Sequence, residues 1–421
     1  MLKHNKKRIR AVIIDNGLNK KLYYELTGKR IKAYCIRKGE FLIDEDKQEH
    51  YDANHGTVCA ALLTEFTEEA EILSISVNES GELSLDNLGV ALFWCIDHHA
   101  DVICMSIGTT SWIELREFFP VFELLDERQI IVVAAGSNDG RVTFPASLPS
   151  VLGVKYKKGS SGLSETEIAM LDDPMDGIDI ETDLPASKVL KQLEKRYQFG
   201  HSIANSMAAP YIAARIIELM NQGYSCHNAD ELKKNLRKYI CMVMKEEKEE
   251  FAYPSAEELS YTRKEECIRS LENLTQPVIV IVYREEKGNG ATAQLASGLQ
   301  QQFYKNGFEA AIFSTVMERS MKEPVFWIDD SRLEEDFLNY TRIVTPDLFL
   351  LHLPFSALIS GNSRSFIDLI VEYKKENTLD EMAKGEKENW MILSDDSKSV
   401  EEQIGLIYTK IVELYGEINL P

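Results

Sequence analysis

The chain has 421 residues, 44% of them hydrophobic and 27% charged, with seven cysteines and a net charge of −21. This is a soluble globular composition, and the length is too great for one ordinary domain and fits two or three. The acidic balance argues against nucleic acid as the main partner. The odd set of cysteines, with no Cys-x-x-Cys pair, argues against a disulfide framework and for a reducing cytoplasm, and the lack of an 18-residue apolar run argues against a membrane span.

Basic residues 3–10 lead into Ala11-Val12-Ile13-Ile14, which is too short for the core of a signal peptide before Asp15 interrupts it. A carboxylate there, followed by Asn16-Gly17, is expected at the C-terminal edge of a buried parallel strand. Lys32–Ile36 and Glu71–Val77 read as further strands. His55-Gly56-Thr57-Val58-Cys59-Ala60 opens a helix, and Leu85–His98 is another, its His98-His99 pair facing the negative end of the dipole. Asp101–Gly108 is a buried strand, and Val132–Gly136 is a second one that delivers Ser137 and Asn138 at its end. Ser206 lies at the mouth of the next helix, where backbone N–H groups and the macrodipole favour developing negative charge. Pro210 is expected near the first turn of that helix, where a missing N–H costs least. Strands alternating with helices predict an α/β fold with a mostly parallel, doubly wound sheet and functional groups at the strand ends.

Leu232, Leu236, Ile240 and Val243 recur at helical spacing, and a charged connector follows. A second, smaller α/β unit is expected from Pro277. Val278–Tyr283, Ala310–Phe313, Asp347–Leu353 and Trp390–Leu393 read as its strands. Leu295, Leu299 and Phe303 mark one face of a helix, and Ser365–Tyr373 and Glu401–Leu414 read as helices. The expected organisation is a first domain over 1–245, a helical linker over 246–276 and a companion over 277–421.

The short motifs around Asp15, His55, Asn138 and Ser206 match, ungapped and in that order, those of the subtilase family of serine peptidases, which residues 8–225 resemble. The family's usual Gly-Thr-Ser-Met-Ala-x-Pro reads here as Ala204-Asn205-Ser206-Met207-Ala208-Ala209-Pro210, departing at the two positions before the serine. The resemblance implies Ser206 as nucleophile, His55 as base and then acid, and Asp15 as the group that fixes the imidazole tautomer. It implies that Asn138 and the Ser206 N–H hold the oxyanion. It also implies that Ser106, Ile107 and Gly108, with Ala135, Gly136 and Ser137, form the walls of the pocket for the residue before the cut. Phe144–Val154 resembles the family's loop and strand after the oxyanion residue. Ser202 is a rival nucleophile, because Gly200-His201-Ser202 also resembles Gly-Thr-Ser; its +4 position, however, is Ser206 and not proline.

Each of these residues has an ordinary structural reading: a buried capping Asp, a satisfied core His, a turn Asn, a helix-cap Ser. Four together in order favour chemistry. Cys59 and Cys104 read as core residues. The acidic clusters Asp44–Asp52 and Asp172–Asp183 invite comparison with the calcium sites of many subtilases, but they lack an EF-hand pattern and read as solvated loops. No metal and no cofactor is expected.

In the companion, Glu285-Glu286-Lys287-Gly288-Asn289-Gly290-Ala291-Thr292 looks like a phosphate-binding P-loop that has lost its function. Glu285 stands where the first glycine belongs and Ala291 where the lysine belongs. A plain Rossmann-like domain with a glycine turn is the other reading, and both imply binding or scaffolding without nucleotide hydrolysis. The companion resembles P-loop-like proteins of bacterial peptide-maturation systems. The resulting expectation is an intracellular serine endopeptidase that removes a leader from a ribosomally made peptide, with the precursor peptide and a peptide-modifying enzyme as partners. The alternative is a catalytically silent protein of the same fold that binds a peptide or a partner.

Overall fold

The computed structural model describes residues 8–43, 54–67, 70–79, 82–111, 116–157, 168–171, 176–197, 204–224, 226–244, 270–284, 289–316, 325–359, 365–374, 390–394 and 398–415. The chain forms two compact units, Met1–Glu250 and Phe251–Pro421. The expected linker falls largely, and Ser202 and the acidic stretch Asp44–Asp52 entirely, outside the described residues.

The first unit is built on β1 (Ile9–Asp15), β2 (Lys32–Arg37), β3 (Glu40–Ile43) and β4 (Ala70–Ser76), followed by a small ribbon of β5 (Asn78–Glu79) and β6 (Glu82–Leu83). The main sheet continues with β7 (Val102–Met105), β8 (Ile131–Ala135), β9 (Leu152–Tyr156), β10 (Ile168–Met170) and β11 (Ile180–Thr182). Its nine strands run in the order β10-β11-β9-β8-β7-β1-β4-β2-β3. The pairs from β11 to β2 are parallel, while β3 and β10 close the edges antiparallel. The central strands are covered on both faces, which is why β1, β7 and β8 read as continuous apolar runs without alternation.

The helices of this unit are α1 (Lys20–Thr27), α2 (His55–Phe66), α3 (Leu85–Asp97), α4 (Phe119–Glu127), α5 (Lys188–Tyr197), α6 (Asn205–Asn221) and α7 (Ala229–Met244). Two of them position the site. Helix α2 is buried from Gly56 to Thr64, and α6 buries twelve residues, so both are apolar nearly all round, as enclosed helices are. They pack side by side on the sheet, with Phe66 edge-on to Tyr211 at 5.1 Å between ring centroids. Alanines at 208, 209, 213 and 214 allow that close approach.

The second unit contains β12 (Val278–Tyr283), α8 (Asn289–Lys305), β13 (Ala310–Ser314), β14 (Val325–Trp327), α9 (Leu333–Ile343), β15 (Leu348–Pro354), α10 (Phe355–Ile359), β16 (Leu369–Lys374), β17 (Trp390–Ser394) and α11 (Val400–Tyr415). Its six strands are parallel throughout, in the order β14-β13-β15-β12-β16-β17. The helix expected over Ser365–Tyr373 is instead strand β16. Leu369 and Val371 are buried between β12 and β17, so pairing within the sheet overrides a local pattern compatible with either state. No helix among the described residues is long and apolar enough to cross a membrane.

Candidate active site

Asp15 is the last residue of β1 and His55 the first of α2, and the two meet at the C-terminal edge of the sheet. The meeting depends on the turn after β1. Gly56 lies so close to the carbonyl of Gly17 that a β-carbon there would collide with backbone, so only glycine lets the helix start at this spot. Asn54 caps α2 by accepting from the Thr57 N–H at 3.1 Å, and the Gly56 N–H donates to Asn16 Oδ1 at 2.9 Å. The imidazole is thereby held with Nδ1 2.9 Å from Asp15 Oδ2 and 3.0 Å from Oδ1. Asp15 is 1% exposed and accepts from the Asn16 N–H as well, whereas the His55 side chain is 38% exposed. A carboxylate that only accepts places the proton on Nδ1 and leaves Nε2 as the basic nitrogen.

Burial opposes charge on His55, but the hydrogen bond to Asp15 and the Asp15 charge outweigh it and raise its pKa above the usual 6.5. The Cys59 thiol is itself pushed up to about 11 by burial and by the Asp15 charge. It is therefore a neutral thiol at pH 7, and the Asp15 carboxylate is the partner that stabilises the imidazolium.

Ser206 is the second residue of α6, in the first turn, where N–H groups have no partner within the helix. Pro210 lies one turn further in than its sequence context predicts. As the sixth residue of α6 it cannot donate to the carbonyl of Ser206, four residues earlier. That carbonyl is satisfied by neighbouring elements: Ser106 Oγ, just beyond β7, donates to it at 2.9 Å and Cys59 Sγ, on α2, at 3.6 Å. Cys59 also lies 3.4 Å from Ser106 Oγ and 3.8 and 4.0 Å from the two ring nitrogens of His55. Cys59, expected as plain core, thus bridges the histidine and the serine segment. Among the described residues no hydrogen bond joins Ser206 Oγ to His55; the connection runs through Cys59 and Ser106.

Asn138 stands three residues beyond β8 and is exposed. Its Oδ1 accepts from the N–H of Asn205 at 3.0 Å, which caps α6 from outside, since the N-cap residue Ala204 has no side-chain acceptor. The turn that carries Asn138 is closed by Ser137 and Arg141, both bonded to the carboxylate of Asp139, with Arg141 Nε at 2.7 Å. Ser106, Ile107 and Gly108 follow β7, and Ala135, Gly136 and Ser137 end and follow the adjacent β8. A β-carbon at Gly108 would come within 2.7 Å of the Phe144 carbonyl, which matches the backbone pairing of Thr109 with Phe144 beside it.

Asn205, read in the sequence only as a departure from the usual threonine, is 7% exposed and fully engaged. Its Nδ2 donates to the carbonyls of Gly136 at 3.1 Å and Ser137 at 2.7 Å, and its Oδ1 accepts from the Tyr156 N–H at 2.8 Å. A buried amide is a polar group that must find partners, and that was the available signal.

Among the described residues, Asp15, His55 and Cys59 form a group of possible ligands, their ligand atoms within 4.8 Å of one another. The sulfur is nearly equidistant from both ring nitrogens, whereas a sulfur that shared a metal with Nδ1 would lie clearly closer to Nδ1 than to Nε2. In the second acidic cluster, Asp176 pairs with Lys155 at 3.2 Å and Asp179 with Lys233 at 3.0 Å, each also accepting a backbone N–H. Those carboxylates fasten loops to neighbouring elements.

A model of the subtilase family matches residues 12–242. The minor extracellular protease Epr of Bacillus subtilis (strain 168) is 23% identical over 247 residues, which cover 56% of this chain and 35% of that protein; the chain spans about a third of this curated relative. Among solved structures, a lanthipeptide protease is 15% identical, with 55% of this chain and 79% of that one covered and a TM-score of 0.41. The epidermin leader peptide processing serine protease from Staphylococcus aureus is 17% identical, with 59% and 72% covered and a TM-score of 0.40. The nisin leader peptidase from Lactococcus lactis is 17% identical, with 56% and 83% covered and a TM-score of 0.38.

Proposed function

The chain belongs to the subtilase family, and we propose that it is a serine endopeptidase whose working groups are Ser206, His55, Asp15 and Asn138. The observation that carries this reading is the buried carboxylate of Asp15 on Nδ1 of a part-exposed His55, with Ser206 held nearby through the shared contacts of Cys59 and Ser106. In this reading Ser206 Oγ attacks the scissile carbonyl carbon while its proton passes to His55 Nε2. The oxyanion is held by the Ser206 N–H at the positive end of α6 and by the Asn138 amide. Collapse breaks the C–N bond, His55 returns the proton to the leaving amine, and water then releases the acyl group by the same steps. The reading calls on no metal or cofactor.

The proposed substrate is a precursor peptide from which a leader is removed, with the second unit recruiting the precursor or a modifying enzyme. The proposed compartment is the cytoplasm, in keeping with Cys59, Cys95, Cys104 and Cys226, all of which are free thiols. The second reading, a silent peptide-binding protein, draws on the lack of a direct Ser206–His55 hydrogen bond among the described residues. Catalytic hydrogen bonds in unliganded sites are often long and tighten only with substrate, so the first reading is preferred. Mass spectrometry of candidate precursors incubated with the protein tests it. Cleavage by wild type and none by Ser206→Ala is expected; intact peptides throughout, with Ser206 inert to an activated-serine probe, would favour the silent reading.

A further inference from the structure

We infer that Asn205 is a positioning residue that sets the oxyanion site through Asn138, a role that rests on the peptidase reading above. Asn205 sits between three parts of the site. Its side-chain amide is inserted between the ends of β8 and β9, donating to the carbonyls of Gly136 and Ser137 and accepting from the N–H of Tyr156. Its backbone N–H, one residue before the nucleophile, is the group that Asn138 Oδ1 accepts from at 3.0 Å. The side chain therefore fixes the first turn of α6 to the sheet, and the backbone of the same residue fixes which way the Asn138 amide points.

Orientation is the consequence. With its oxygen engaged by the helix, Asn138 turns its Nδ2 end away from Asn205, so the amide is presented as a donor and not as an acceptor. An acceptor in that place would repel an oxyanion. The same two carbonyls that Asn205 holds, Gly136 and Ser137, belong to the segment the family resemblance assigns to a pocket wall, so the wall and the oxyanion donor share one anchor. The threonine usual in the family has one hydroxyl and cannot donate twice while accepting once as this amide does. The substitution is thus a working replacement with its own bonding pattern, and a donor displaced by about 1 Å costs roughly 10²-fold in rate.

The test uses the full chain and a fluorophosphonate, whose P–O oxygen takes the place of the oxyanion, so no natural substrate is needed. The limiting labelling rate at Ser206 and the half-saturating probe concentration are measured for wild type, Asn205→Ala, Asn138→Ala and the double variant, with thermal melts of each. Asn205→Ala is expected to lower the limiting rate about 10²-fold with the half-saturating concentration within about threefold of wild type. In the Asn138→Ala background the same change is expected to alter the rate less than about threefold, because the group it positions is gone. Asn205→Asp keeps the size and the acceptor for Tyr156 but loses both donors, and serves where the alanine variant does not fold; the same loss of rate is expected. Losses that multiply independently in the double variant, or an Asn205→Asp rate equal to wild type, would overturn the positioning role while leaving the peptidase reading in place. A wild-type protein that does not label at Ser206 would overturn both.

Discussion

A histidine stands near the C-terminal edge of each of the two large sheets, and the pair shows what makes such a residue chemical. His55 opens a helix at the C-terminal edge of the first sheet, with a carboxylate on Nδ1 and 38% of its side chain exposed. His352 lies near the C-terminal end of β15, is 0% exposed, and its ring nitrogens bond to hydroxyls: Thr292 Oγ1 on Nε2 and Ser314 Oγ on Nδ1, both at 2.9 Å. Burial lowers the His352 pKa to about 4, whereas Asp15 raises that of His55. Both stand where open parallel sheets place their sites. The location is shared; an ionised partner and an opening are not.

Variants can break this contrast at either end. The largest effect is expected for Ser206→Ala, roughly 10⁶-fold in peptide turnover, the size of the corresponding deletion in subtilisin, with Ser202→Ala close to wild type. Thermal melts check that the fold survives, as expected because the N-cap of α6 is Ala204 and not Ser206, so no cap is lost.

Asp15→Asn should come next, at about 10⁴-fold in kcat, because an amide favours the wrong imidazole tautomer. It should also move the pH profile. The base must be neutral, so wild-type kcat/KM is expected to climb through the alkaline range, and in Asp15→Asn that limb should shift toward the ordinary imidazole range. For stability the sign is fixed. A pKa raised on folding contributes fully below about 6.5 and is lost as pH rises through the raised value. Wild type should therefore lose more thermal stability than Asp15→Asn between pH 7 and pH 10.

Asn138→Ala is expected to lower kcat roughly 10²–10³-fold with KM little changed, because its amide acts on charge that exists mainly in the transition state. Steady-state kinetics on a short peptide check this, and equal losses in kcat and 1/KM would remove Asn138 from the oxyanion site.

At the other histidine the expected effect is on stability and not on rate. His352→Leu removes one hydrogen bond from each of two buried hydroxyls, Thr292 and Ser314, and should destabilise by about 0.5–1.5 kcal/mol per bond lost, with short-peptide cleavage unchanged. The pH sign is opposite to that of His55. A lowered pKa contributes stability above about 6.5 that is lost as pH falls toward about 4, so the wild-type second unit should weaken in acid and the variant should not. Hydrogen exchange in β12, β13 and β15 reads this unit by itself. Smallest of all is the expected response to Mg²⁺ with ATP or GTP: no hydrolysis and no shift in melting temperature. Thr292, the P-loop-like hydroxyl, is 1% exposed and bonded to His352; Glu285–Gly288 lie outside the described residues. A clear nucleotide-dependent shift would contradict that expectation.

What the sequence made legible follows from period and spacing. Uninterrupted apolar runs such as Ile13-Ile14 and Val132-Val133 mark strands covered on both faces, so the first sheet could be read in advance, whereas the Asp15–His55 pairing was implied by the family resemblance of the motifs around them. Other features depend on partners far away in the chain. Leu369-Ile370-Val371 becomes a strand because β12 and β17 flank it, and nothing local says so. Asn205 looks like a flaw in a motif until the carbonyls of Gly136 and Ser137 and the N–H of Tyr156 are seen around it. Pro210 is placed by counting from the true start of α6, and only then does its missing N–H explain why Ser106 and Cys59 turn to the Ser206 carbonyl.

The central claim is that Ser206 is activated by the Asp15–His55 pair. Labelling the full chain with a fluorophosphonate and mapping the adduct by peptide mass spectrometry tests it most directly. A single adduct on Ser206 is expected, absent in Ser206→Ala, strongly reduced in Asp15→Asn and retained in Ser202→Ala. No adduct in the wild type, an adduct on Ser202, or labelling at Ser206 that is indifferent to Asp15→Asn would contradict it.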